Sequence, residues 1–119
     1  MNTTDQEPQT LSVEDFARAK TAMKERSALA NALKTSIIEG LAAGLEYHLL
    51  WVWITANGCA VDVILETDKD LLAQKGGAAF GGPIEKAATR LGLKDILVRY
   101  HSHEHILKNH NGDYDEYFR

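Results

Sequence analysis

Two runs rich in β-branched and aromatic residues, Tyr47–Thr55 and Cys59–Thr67, flank an Asn57-Gly58 pair and constrain this chain more than any other feature. Asn-Gly is the preferred centre of a two-residue type I′ turn, because both positions must take a positive φ. The pattern predicts a β-hairpin in which Ala56 pairs with Cys59. Thr55 then faces Ala60, Trp53 faces Asp62, Trp51 faces Ile64 and Leu49 faces Glu66. Side chains alternate across a strand, so Leu50, Val52, Ile54, Val61, Val63 and Leu65 share one face. That face is wholly aliphatic and is the expected core face. The other is mixed and carries Trp51 and Trp53, extended by Tyr47, Leu49 and Ile64.

The hairpin needs partners, and the flanking sequence supplies them. Residues 1–11 are polar without an apolar period and read as a flexible tail. Ser12 with Asp15 three residues on fits an N-cap. Phe16, Ala19, Met23, Ala30, Leu33, Ile37 and Leu41 then recur at helical spacing and predict a long helix ending near Gly40 or Gly44, with a division into two shorter helices at the Arg26 break as the alternative. Thr67 and Asp70 suggest a short helix through Ala73. The glycine-rich Lys75–Pro83 stretch reads as a mobile loop, with Pro83 opening a helix over Ile84–Leu91 that Gly92 closes. Lys94–His103 reads as a strand. A second Asn-Gly, Asn111-Gly112, predicts a terminal hairpin setting His110 against Asp113, Lys108 against Asp115 and Ile106 against Tyr117. A terminal helix over Glu104–Asn109 is the alternative. The expected fold is α+β, with the long N-terminal helix and short helices on one face of a small, mostly antiparallel sheet. Its order is α-β-β-α-β, possibly with a further strand, in a single domain over residues 12–119.

Composition narrows the function classes. The 119 residues are 45% hydrophobic and 25% charged, which suits one ordinary globular domain. No apolar run approaches the roughly 18 residues of a membrane span. The N-terminus has neither the basic nor the apolar part of a secretory signal, so a cytoplasmic location is expected. The single Cys59 excludes an internal disulfide and a CxxC zinc pair, and its predicted core position suits a small apolar residue. Charge is uneven: Asp5, Glu7, Glu14 and Asp15 precede the basic Arg18, Lys20, Lys24, Arg26 and Lys34. The net charge of −4 nevertheless does not favour a nucleic-acid binder.

Two groups of residues could carry function. His101, His103, His105 and His110 cluster near Glu104 and Asp113. On an extended strand, residues two apart lie about 6.6 Å from each other on the same face. His101 and His103 could therefore reach one ion, with His110 and Asp113 folded back as further ligands to zinc or another divalent transition metal. With an open coordination position and a carboxylate base such as Glu104 or Asp113, such a site would be a small metal-dependent hydrolase or nuclease. Over three residues the His101-Ser102-His103 run is similar to the HxH element of metal-dependent deubiquitinase-like metalloproteases and of cupins. The downstream spacing of the first and the glycine-punctuated strands of the second are absent. Without a metal, Arg99, His101 and His103 could hold a phosphate or carboxylate.

The second group is the Trp51 and Trp53 face with Tyr47, Ile64 and Arg99, residue types that anchor protein interfaces. No complete catalytic constellation is present. The leading expectation is therefore a small acidic intracellular interaction protein, such as an inhibitor, immunity-type or regulatory factor. It would need no cofactor and would bind another macromolecule or a second copy of itself.

Overall fold

A computed structural model describes residues 12–74 and 78–119; the expected tail 1–11 and Lys75–Gly77 of the glycine-rich stretch lie outside the described residues. Helix α1 spans Val13–Gly40, and the Ser12 hydroxyl accepts from the Asp15 amide at 3.0 Å as the capping pattern predicts. The stripe that forms α1 is divided in its use. Leu33 and Ile37 are fully buried, whereas Phe16 and Met23 are 63% and 65% exposed.

The hairpin forms from β1, Leu49–Thr55, and β2, Gly58–Leu65. Its turn is Ala56-Asn57, so Thr55 pairs with Gly58, Trp53 with Ala60, Trp51 with Asp62 and Leu49 with Ile64. This corrects the predicted register by two residues. Neither Asn57 nor Gly58 adopts the positive φ that a type I′ turn requires. The Thr55 hydroxyl instead accepts from the Asn57 amide at 3.2 Å and donates to the Gly58 carbonyl at 3.3 Å. A shift of two leaves every side chain on its expected face.

Strand β3, Ile96–Ser102, joins β2 in parallel, with Ala60 beside Leu97, Asp62 beside Arg99 and Ile64 beside His101. The order β1-β2-β3 makes the sheet mixed rather than mostly antiparallel. A parallel neighbour requires a crossover, which α2, Asp68–Gln74, and α3, Ala78–Arg90, supply. The Thr67 hydroxyl accepts from the Asp70 amide at 3.1 Å and starts α2 as expected.

Helix α3 begins at Ala78 and holds Pro83 inside it, so residues 78–83 are helical rather than a loop. Phe80 explains the difference: it is fully buried and meets Tyr47 and Tyr100 at centroid distances of 6.0 and 6.3 Å. Burying such a ring is worth about 1.5–3 kcal/mol, comparable with the roughly 1 kcal/mol cost of each helical glycine. At its far end Gly92 takes φ 72° and the Leu93 amide reaches the Ala88 carbonyl at 2.8 Å, closing α3 where the sequence predicts.

The aliphatic hairpin face is the core face. Leu50, Val61, Val63 and Leu65 pack with Leu33 and Ile37 of α1 and with Phe80, Ile84 and Ala87 of α3. Cys59 belongs to this cluster, and burial pushes its thiol up, as expected of a small apolar residue.

The C-terminal segment is helical, in place of the predicted hairpin: α4 spans His103–His110 and α5 spans Tyr114–Tyr117. Asn111 and Gly112 do take positive φ, 53° and 76°, but as the left-handed end of α4, where the Gly112 amide reaches the Ile106 carbonyl at 3.1 Å. Ser102 caps the other end by accepting from the His105 amide at 3.2 Å, and Ile106 is fully buried. Tyr114, Tyr117 and Phe118 pack on Trp51 and His101, so helical segments cover parts of both sheet faces rather than one. No helix among the described residues is long and apolar enough to cross a membrane.

Candidate functional site

The outer face of the sheet is built in rows fixed by strand register. Leu49, Ile64 and His101 form one row, Trp51, Asp62 and Arg99 the next, and Trp53, Ala60 and Leu97 a third, beyond which Thr55 faces Gly58 beside the hairpin turn. At its centre the Asp62 side chain is fully buried. A buried carboxylate must be paired and hydrogen-bonded, and this one is. Oδ1 accepts from Arg99 Nε and from His101 Nε2, each at 2.8 Å. Oδ2 accepts from Arg99 Nη2 at 2.9 Å and from Trp53 Nε1 at 2.6 Å. Burial by itself would raise the Asp62 carboxyl. The hydrogen bonds from Arg99, His101 and Trp53, with the charge of Arg99, outweigh it and hold the group below the ordinary range.

An ionised carboxylate only accepts, so His101 donates through Nε2, and its Nδ1 is hydrogen-bonded to the Tyr117 hydroxyl at 2.7 Å. Burial and the nearby negative charge of Asp62 push the Tyr117 hydroxyl up, which keeps its proton available for that bond, although Arg99 opposes the shift. The carboxylate–imidazole–hydroxyl order is one that can relay a proton. Here, however, the His101 side chain is only 11% exposed and both its ring nitrogens are engaged. No cavity opens onto the His101 ring among those the described residues line, and the network meets a cavity only at Trp53. One cavity of about 560 Å³ runs between α3 and β3 against Ile84, Ile96 and Val98, and another of about 380 Å³ lies between α1 and β1. The network ties the C-terminal segment to the sheet.

The histidines do not gather as the strand pattern predicts. Strand β3 stops at Ser102, so His103 is the first residue of α4 and not a strand neighbour of His101. His103 stacks on His48, 3.8 Å between centroids and 13° from parallel, and meets the Tyr114 hydroxyl through Nδ1. His48 meets Glu66 at 3.1 Å. His110 Nδ1 meets Glu116 at 3.1 Å, and Asp113 caps α5 by accepting from the Glu116 amide at 3.0 Å. Among the described residues, no group of three or more His, Cys, Asp or Glu is arranged to hold a metal ion.

The predicted aromatic surface is partly realised. Trp51 is half-buried against Phe118 and Tyr114, with centroids 5.2 and 5.6 Å away. Ile64 lies on the outer face but is fully buried, so it offers no contact surface. Tyr47 precedes β1, escapes the strand alternation and packs edge-on against Phe80 in the core. Trp53 and Leu97 remain open, 44% and 55% exposed, with the half-exposed Arg99 beside them. Sequence reasoning missed Asp62 as the centre of the face and Leu97 as part of its open row. The signals were a lone acid between Val61 and Val63, and the helical spacing of Tyr114, Tyr117 and Phe118 that covers half the face. Comparison of the chain with known family models, curated proteins and solved structures gives no match.

Proposed function

We propose that this chain is a small interaction protein, of the inhibitor, immunity-type or regulatory kind, that binds another macromolecule through the open end of its outer sheet face. One observation carries the reading: Trp53 and Leu97 stay about half exposed beside the half-exposed Arg99, while Ile64, Asp62 and His101 on the same face are buried. Trp53 is also oriented, because its Nε1 is bound to a buried carboxylate on the central strand. A large ring held in one orientation loses little freedom on binding, and Trp with a neighbouring Arg is the usual composition of an interface anchor. The reading is tested by native mass spectrometry of untagged protein recovered from its source cells. A second macromolecule retained at fixed stoichiometry by the native chain, and lost from Trp53→Ser/Leu97→Ser with an unchanged circular dichroism spectrum, is expected. Retention by that variant, or the absence of any such complex with the native chain, would overturn it.

A further inference from the structure

Outside the surface just described, the N-terminal half of α1 carries an apolar stripe that the chain itself does not bury. Val13, Phe16 and Met23 are 87%, 63% and 65% exposed, although the continuation of the same helix buries Leu33 and Ile37 completely. Phe16 and Met23 are seven residues apart, close to two helical turns, and so lie on one side. Exposed apolar side chains of this kind, placed regularly along a helix, ask for a partner helix.

Two further features say which partner. Immediately beyond the stripe, Met23, Arg26, Ser27 and Ala30 of α1, with Val52, Trp53, Ile54 and Thr55 of β1, line a groove of about 380 Å³, which Trp53 joins to the surface just described. The charge of the helix also reverses along its length. Glu14 and Asp15 stand in the first turn, and Arg18, Lys20, Lys24 and Arg26 follow against Glu25 alone. Asp15 and Arg26 are eleven residues apart, about three turns, and therefore lie on the same flank.

We infer that the N-terminal half of α1 pairs antiparallel with the same half-helix of a second copy of this chain. A two-fold axis crossing near residues 20–22 sets Phe16 of each copy over the Met23–Ala30 groove of the other. It also brings Asp15 of each copy beside Arg26 of the other. In a parallel pair the same flanks fall on opposite sides of the seam, so Asp15 and Arg26 would not meet across it. The contact is isologous, so each apolar insertion and each ion pair occurs twice. Asp15 is already paired with Arg18 on its own helix, but an exposed pair of that kind is worth under about 1 kcal/mol and yields readily to a second cation. The paired stretch, residues 13–30, is about 27 Å long at 1.5 Å per residue. A dimer of this size forms reversibly and weakens with salt.

Sedimentation equilibrium of the full chain tests the pairing, on residues other than Trp53 and Leu97, so its failure leaves the proposed function standing. The native chain is expected to pass from monomer to dimer as concentration rises. Phe16→Ser, Asp15→Arg and Arg26→Asp should each raise the dimer dissociation constant by at least about tenfold. The Asp15→Arg/Arg26→Asp double variant should recover dimerisation, which a merely frayed helix would not. A native chain monomeric at every concentration, a dimer indifferent to Phe16→Ser, or a double variant no better than the single ones would each overturn the inference.

Discussion

At Asp62 a carboxylate lies fully buried on the central strand, and hydrogen bonds from Trp53, Arg99 and His101 replace its hydration. Asp62→Ala leaves the Arg99 charge and the Trp53 and His101 donors without their acceptor. Arg99 is half-exposed and regains water, so the loss is set by the buried donors and should be about 1–3 kcal/mol in urea unfolding. The pH dependence has a definite sign. The folded carboxyl lies below its ordinary value of 3.8, so its stabilising contribution is fully present above that value and lost as pH falls through the folded one. Tryptophan fluorescence during acid titration should show the native chain losing its stability advantage over Asp62→Asn only below about pH 4. Equal acid slopes in the two proteins would disprove this account of Asp62. The position of Asp62 on the outer face was legible from alternation alone. Its burial was not, because it depends on Tyr117 and Phe118, more than fifty residues downstream.

At the scale of elements, two Asn-Gly pairs in one chain have opposite outcomes. Asn57-Gly58 takes no positive φ, and Asn111-Gly112 takes it twice but ends a helix instead of making a hairpin. The dipeptide permits the left-handed region without saying what uses it. Hydrogen bonds from Thr55 decide the first case, and the Ser102 cap and Ile106 burial decide the second. Since Asn111 sits at φ 53°, Asn111→Val should cost about 1–2 kcal/mol in thermal unfolding, while Asn111→Gly should be nearly neutral. Comparable losses in both variants would show that this side chain, and not the backbone conformation, holds the end of α4. Helix α3 makes the same point in reverse. Its glycines and Pro83 read as a loop, and the burial of Phe80 draws residues 78–83 into the helix.

Across the whole molecule, stability is unevenly distributed along α1, and function is expected where burial stops. Native-state hydrogen exchange on the Phe16→Ser variant should show fast exchange over residues 13–24 and strong protection around Leu33 and Ile37. In the native chain at high concentration the first segment should gain protection; uniform protection of α1 in the variant would contradict this division. The sequence by itself determined the order α-β-β-α-β as far as β3, the helix caps at Ser12 and Thr67, the end of α3 at Gly92 and the identity of the core face. Each of these rests on local chemistry, namely a capping hydroxyl, a glycine or a repeating period. Only the tertiary structure decided that β3 runs parallel to β2 and that Asp62 gathers Trp53, Arg99 and His101. It also decided that Trp51 is covered while Trp53 is left open. Those outcomes depend on the register between strands and on where the last helices settle, and no short stretch of sequence encodes either.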